Sequence, residues 1–186
     1  MRSRDLYVLL VGAVALERVF ELWLSRRNLA RVQARGGFVA ERRSFWDMVL
    51  FQVAFLLACP LEAVWLGRPF LPLLGVPALL LVALAMVLRF AAVRTLGDRW
   101  NIRLVVIPGQ PLVTTGPYRF LRHPNYVALA AETLALPLVH TAWLTACTLV
   151  PVLAPLLARR IRLEEAALAR HSGPERAAAG CASLIP

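Results

Sequence analysis

The sequence predicts an all-α, polytopic membrane protein of a single domain with five transmembrane helices, and three observations predict it. Of its 186 residues 59% are hydrophobic and 17% charged, with a mean hydropathy of +0.64, which does not describe a water-soluble globule. The apolar residues fall into five runs separated by polar segments. All 21 basic residues are Arg, and most of them lie in those segments, on alternate sides of the runs.

The first run, 6–24, opens behind Arg2 and Arg4 and resembles a signal peptide in its first half, but its helical pattern continues through Trp23, so it reads as an uncleaved span. Glu17 and Glu21 are four apart and share a helix face beside Arg18, with Ser25 and Asn28 further along. Ionisable groups at membrane depth face protein or water, or else snorkel at a helix end. From Arg26 to Arg43 the chain is polar and contains Gly36-Gly37, which reads as a loop. The second run, 45–66, carries Pro60 as a kink and Glu62 near its far end. After a turn at Gly67-Arg68-Pro69 the third run spans 70–93.

A polar segment, 94–123, holds Trp100-Asn101 and a turn signal at Pro108-Gly109. The fourth run, 124–139, is short: at about 1.5 Å per residue it barely crosses a core roughly 30 Å thick. His140-Thr141 turns the chain into the fifth run, 142–158, so the last two helices form a hairpin. The fifth helix then continues into the charged stretch Arg159-Arg160-Ile161-Arg162-Leu163-Glu164-Glu165, a C-terminal helix and tail covering 159–186.

Sorted by side, six Arg lie in 26–43, six in 89–122 and five after the last span, against Arg2, Arg4 and Arg68 opposite. The positive-inside rule then places the N-terminus outside, and the segment 94–123 and the C-terminal helix in the cytoplasm. The net charge of +10 serves orientation and anionic lipid headgroups rather than nucleic acid. Cys59, Cys147 and Cys181 form no CxxC or His/Cys cluster, which argues against a metal site and disulfides. Cys181 is also six residues from the end of the sequence, whereas a prenylation box needs four.

Chemistry concentrates in Leu112–Tyr126, the most polar and aromatic stretch between two strongly apolar ones. Gly116-Pro117 makes a turn, and Arg122-His123-Pro124-Asn125-Tyr126 reads as an extended pre-proline residue followed by a helix start. A helix start offers free N–H groups that suit an anionic group on a ligand. On the same side, Arg160 and Glu164 share a helix face, in the order less favourable for a plain surface pair. An Arg–carboxylate constellation beside Tyr118 and Tyr126 suits a zwitterionic ligand carrying a cation such as a sulfonium. Taken singly, His123 also fits a helix cap, the two tyrosines fit an interfacial belt, and Glu132 fits a partner for Arg or Trp donors inside the bundle.

The run Gly116-Pro117-Tyr118-Arg119-Phe120-Leu121-Arg122-His123-Pro124-Asn125-Tyr126, followed by Arg160 and Glu164-Glu165, resembles the isoprenylcysteine carboxyl methyltransferase family of integral-membrane, S-adenosylmethionine-dependent enzymes. Upstream, Glu17-Arg18-Val19-Phe20-Glu21-Leu22, Ser25-Arg26-Arg27-Asn28 and Leu96-Gly97-Asp98-Arg99-Trp100-Asn101 are similar to its bacterial branch, which implies a bacterial inner membrane. The resemblance reaches to about Leu168. It implies five membrane helices with S-adenosylmethionine in a cytoplasmic pocket roofed by the last connecting loop and the C-terminal helix. Carried over by position, Gln110, Pro111, Leu112, Val113, Tyr118, His123, Pro124, Asn125, Tyr126 and Glu164 contact the cofactor, and Gln110 stands where several relatives have His. Arg160 faces a lipophilic methyl acceptor, Glu132 lies on the acceptor side, and His123 or Glu132 is the base if the acceptor is a phenol. The expected reaction is O-methylation of a lipid-like or alkylphenol substrate. Carboxyl methylation of an isoprenylcysteine-type substrate, phospholipid N-methylation and a non-catalytic membrane scaffold are the other readings; no metal is implied, and the oligomeric state is left open.

Overall fold

The computed structural model describes residues 3–111 and 113–171, and within them five helices carry the fold. They are α1 (Ser3–Ala34), α2 (Arg43–Trp65), α3 (Pro72–Leu96), α4 (Pro124–Val139) and α5 (Trp143–His171). The tail beyond, with Arg176 and Cys181, lies outside the described residues.

Helix α1 runs to Ala34, through the first part of the segment that the sequence reads as a loop. Nothing between Arg26 and Ala34 breaks a helix: Arg, Leu, Ala and Gln are good formers, and the first breakers are Gly36-Gly37. Its buried positions are Tyr7, Val11, Val14, Arg18, Glu21, Ser25, Asn28 and Val32. Those spacings alternate between four and three, which is one unbroken helix face. That face is apolar for its first half and polar for its second.

A second departure from the expected architecture follows. Phe38–Glu41 forms strand β1 and Leu104–Val106 forms strand β2, an antiparallel pair with Phe38 opposite Val106 and Val39 opposite Val105. The ribbon ties the α1–α2 connection to the segment before α4. Glu41 then starts α2 by accepting the backbone N–H groups of Arg43 (2.6 Å) and Ser44 (2.7 Å).

The core is drawn from all five helices and includes Tyr7, Phe55, Cys59, Val82, Leu136 and Leu153. Tyr7 donates to the Leu136 carbonyl at 3.1 Å. Helices α3 and α4 make the most extensive contact. The buried stripe of α3, Gly75, Ala78, Val82, Ala85, Arg89 and Ala92, is mostly of small residues, so two backbones can approach closely. Gly75 shows how closely: a Cβ there would lie 2.7 Å from the Val139 carbonyl oxygen.

The outer surface is apolar where a soluble protein would be polar. Leu73 is 93% exposed and Phe90 64%, and Leu50, Leu57, Leu84 and Val87 also face outward. Lipid is the solvent for these side chains, and the chain is an integral membrane protein. Three helices are long and apolar enough to cross a bilayer: Arg43–Trp65, α3 with the 3-10 turn Gly97–Arg99 that continues it, and Trp143–Arg170. Helix α1 carries Glu17, Arg18 and Glu21 in its midst, and α4 is 16 residues long, so these two do not meet the same criterion of length and composition.

Helices α4 and α5 are joined through His140, Thr141 and Ala142. At this end of the bundle the Glu62 carboxylate of α2 accepts the first N–H groups of α5, from Leu144 (3.0 Å) and Thr145 (2.7 Å), and the Thr145 hydroxyl (2.8 Å). Arg68 neutralises it at 2.7 Å. The site described next lies at the other end of α5.

Candidate functional site

Pro124 cannot donate a backbone N–H, so it opens α4 with His123 held outside the helix at φ −130° and ψ 64°. Tyr126 is therefore in the first turn of α4, aimed at α5, where Arg160 and Glu164 lie one turn apart. The Tyr126 hydroxyl donates to Glu164 Oε2 at 2.6 Å and accepts from Arg160 Nε at 3.0 Å. The outer nitrogens of Arg160 donate to two backbone carbonyls, Ser44 at 3.3 Å and Ile102 in a short bond. His123 stacks beside Tyr126 with ring centroids 5.5 Å apart, its Nδ1 3.9 Å from Glu164 and its Nε2 3.4 Å from Glu165.

Arg160 is 5% exposed, and all three of its hydrogen-bond acceptors are neutral oxygens. Among the described residues no carboxylate lies within ion-pair distance of it. A buried charge without a counter-charge is costly unless a ligand supplies one.

The rest of the site is held by α1 and the end of α3. Asn28 donates to the carbonyls of Trp100 (2.8 Å) and Gly97 (3.1 Å), and the Ser25 hydroxyl donates to Asn101 (2.8 Å) while accepting the N–H of Ile102 (3.1 Å). The polar half of the α1 stripe thus fixes the segment that presents the Ile102 carbonyl to Arg160. Arg99 holds the next stretch through the Pro111 carbonyl at 3.0 Å. Gly116, at φ +57°, seats the 3-10 turn Gly116–Arg119 against Thr95 of α3; a Cβ there would strike the Thr95 side chain. Tyr118, in that turn, is half-buried. Burial, and then the nearby Glu164 carboxylate, push its hydroxyl above the usual tyrosine range, so it stays a neutral phenol.

His123, Tyr126, Arg160 and Glu164 are brought together, with Tyr118 and Asn125 close in sequence beside them. Pro124 is buried, Pro111 is exposed, Val113 and Gln110 are half-buried, and Leu112 lies outside the described residues. Gln110 Oε1 and Asn125 Oδ1 are buried acceptors without a partner among the described residues. Glu132 lies elsewhere: six residues beyond Tyr126 on α4, it is fully buried and ion-paired with Arg18. Arg18 also reaches Glu21 (2.6 Å), and Glu21 holds Arg89 of α3 (2.5 Å), so one charge cluster links α1, α3 and α4. Ser44 and Ile102 act through backbone carbonyls, which no side-chain pattern marks; Ser25 and Asn28 are marked by their register with Arg18 and Glu21. No group of three or more His, Cys, Asp or Glu side chains suited to a metal occurs among the described residues.

The described residues thus form a helical membrane protein in which an unpaired buried arginine meets a tyrosine–carboxylate pair where α4 packs on α5. Its family is more specific: the chain belongs to the isoprenylcysteine carboxyl methyltransferase (ICMT) family, a family of membrane methyltransferases, whose model matches residues 78–170, half of the chain. It is 30% identical over 168 residues to the "Uncharacterized protein YpbQ" of Bacillus subtilis (strain 168), covering 90% of this chain and 99% of that one. It is also 28% identical over 154 residues to an "Uncharacterized protein" of Haemophilus influenzae, covering 81% of this chain and 88% of that one. No solved structure matches it.

Proposed function

We propose that the chain transfers a methyl group from S-adenosylmethionine to an oxygen of a lipophilic acceptor, with an alkylphenol or similar lipid-like molecule as the preferred class. The observation that carries this reading is Arg160, buried and without a counter-charge beside a tyrosine–carboxylate pair. The residues fit the cofactor on their chemistry. Glu164 and the unpartnered acceptors Gln110 Oε1 and Asn125 Oδ1 suit its ammonium, and the faces of Tyr118, His123 and Tyr126 suit a sulfonium. Pro111, Val113 and Pro124 would supply apolar contacts. When bound, S-adenosylmethionine supplies a methyl group activated by its positive sulfur.

The remaining work falls to the chain. Arg160 orients an acceptor that arrives as an anion, and an oxygen already deprotonated needs no general base. A phenol would need one, and His123 is the titratable ring beside the pair; Glu132 is engaged with Arg18 and serves to hold the bundle. An anionic acceptor also favours O-methylation over methylation of an amine, because a neutral amine nitrogen brings the buried guanidinium no counter-charge. Carboxyl methylation of a prenylated acid remains the second reading, because a carboxylate satisfies Arg160 equally well.

In the same reading all five helices cross the membrane, α1 with its charges turned inward and α4 as a short, tilt-intolerant span. The N-terminus lies outside, and the end of the bundle with Arg160 faces the cytoplasm, as the arginine distribution supports. The membrane is then a bacterial inner membrane, and the end of α5 forms the roof.

Purified protein in lipid nanodiscs should transfer label from methyl-labelled S-adenosylmethionine to an organic-extractable alkylphenol. Folded protein that neither binds the cofactor by calorimetry nor labels alkylphenol, prenylcysteine or host lipid would refute the enzymatic reading and leave the scaffold.

A further inference from the structure

Between the starts of the site's two carbonyl supports lies a cleft of about 110 Å³. Its apolar walls are Phe45, Trp46 and Val49 of α2 with Leu22 of α1, and Ser25, Arg26 and Arg103 form its polar rim. Resting on the proposed methyl transfer, we propose that this cleft takes the head of the acceptor, and that Arg103 and Arg26 select a head bearing an anionic oxygen on a single alkyl chain.

Position is the first argument. The guanidinium of Arg160 donates to the carbonyls of Ser44 and Ile102, and the residue after each of these, Phe45 and Arg103, lines the cleft. Arg160 thus reaches Tyr126 with its Nε and, with its outer nitrogens, the backbone adjoining two residues of the cleft lining.

Charge is the second. Arg103 is half-buried with its guanidinium 4.8 Å over the Phe45 ring, and Arg26 is exposed at the same rim. Among the described residues neither forms an ion pair. Arg26 and Arg103 are thus two cations at the rim without an ion-pair partner among the described residues, so the complementary ligand is an anion. Ser25 is already engaged with Asn101 and Ile102, which leaves the two arginines as the free polar contacts.

Size and exit are the third. A cavity of roughly 150 Å³ encloses benzene, so a cleft of about 110 Å³ seats the anionic edge of a ring or a carboxyl-bearing stub without enclosing a whole ring. Beyond Leu22 and Val49 the helix surfaces are apolar and outward-facing, with Val19 62% and Leu50 67% exposed, so a single chain leaves directly into the bilayer.

The test uses a chromophoric probe, 2-dodecyl-4-nitrophenol, whose phenolate is told from the phenol by its visible absorbance, with 2-dodecyl-4-nitroanisole as its neutral counterpart and dodecanoate as a carboxylate arm. Full-length protein in nanodiscs is titrated without turnover. The wild type should bind the nitrophenol as phenolate, Arg103→Gln should weaken that binding about tenfold or more, Arg103→Lys should recover most of it, and the anisole should bind both proteins alike. Competition by dodecanoate tells whether the shared anionic chemistry extends to carboxylates. Equal binding of phenolate and anisole, or phenolate binding indifferent to Arg103→Gln and Arg26→Gln, overturns the assignment. Calorimetry with S-adenosylmethionine on the same samples separates the two ideas: cofactor binding with an indifferent probe sinks the cleft alone, whereas no cofactor binding sinks the methyl-transfer reading.

Discussion

Replacing Glu164 by Gln keeps the size and an acceptor oxygen for the Tyr126 hydroxyl but removes the negative charge. In the structure one oxygen of that carboxyl group receives the Tyr126 hydrogen bond at 2.6 Å. A hydrogen bond to a charged group contributes about 1.5–3 kcal/mol against about 1 kcal/mol for a neutral pair. An ammonium bound at the same carboxylate therefore loses about 0.5–2 kcal/mol, or roughly 2- to 30-fold in Kd. Isothermal titration of S-adenosylmethionine into Glu164→Gln in nanodiscs measures this directly. Tyr126→Phe should cost less, because it removes only the orienting hydroxyl. The double variant should fall short of additivity by about 1 kcal/mol, as expected for residues sharing one bond. A Glu164→Gln protein that binds cofactor within twofold of the wild type, with unchanged thermal stability, would show that this carboxylate has no part in cofactor recognition.

Arg160→Ala should lower kcat/KM for the acceptor about 100-fold or more while leaving cofactor Kd within about threefold, since the lost charge-assisted contact is made to the acceptor; steady-state kinetics with varied acceptor read the split. Arg18→Met, which leaves Glu132 buried without its partner, should cost about 3–5 kcal/mol in thermal or denaturant unfolding, and Arg18→Met with Glu132→Leu should recover part of it. For Tyr118 the sign follows from its raised hydroxyl: the folded state keeps the proton after the unfolded chain has lost it. Its contribution to stability is therefore intact below about pH 10 and declines as the pH climbs further. Ultraviolet titration should find its phenolate absent above the ordinary tyrosine range, and Tyr118→Phe should flatten the alkaline loss of stability. Glu41→Ala removes the acceptor of two N–H groups at the start of α2 and should cost about 1 kcal/mol by chemical denaturation, with a rise in acceptor KM because Ser44 sits on that turn.

The class of fold is written in the sequence because lipid demands long apolar helices, and α2, α3 and α5 meet that demand plainly. The end of α1 was harder to read. Polarity from Arg26 onward looks like a loop until one notices that Ser25, Asn28 and Val32 continue the spacing of Tyr7, Val11, Val14, Arg18 and Glu21. The strands β1 and β2 are four and three residues long, too short for a period of two to register. At the site, His123, Tyr126, Arg160 and Glu164 are side-chain chemistry at recognisable spacing, and their meeting follows from Pro124 starting one helix and a one-turn interval on another. The carbonyls of Ser44 and Ile102 carry no such mark, since every residue offers one. The pairing of Glu132 with Arg18 joins positions more than a hundred residues apart, which only the packing of α1 on α4 decides.

Helix α5 is clamped at its first turn by the carboxylate of Glu62 and past its middle by the hydrogen bonds of Arg160 to the first turn of α2 and to the Ile102 carbonyl, and between the clamps stand Pro151 and Pro155. Each proline withholds one rung from the ladder of amide bonds. The beam is thus held at two points with fewer amide rungs between them, so a bend in α5 costs least at the prolines.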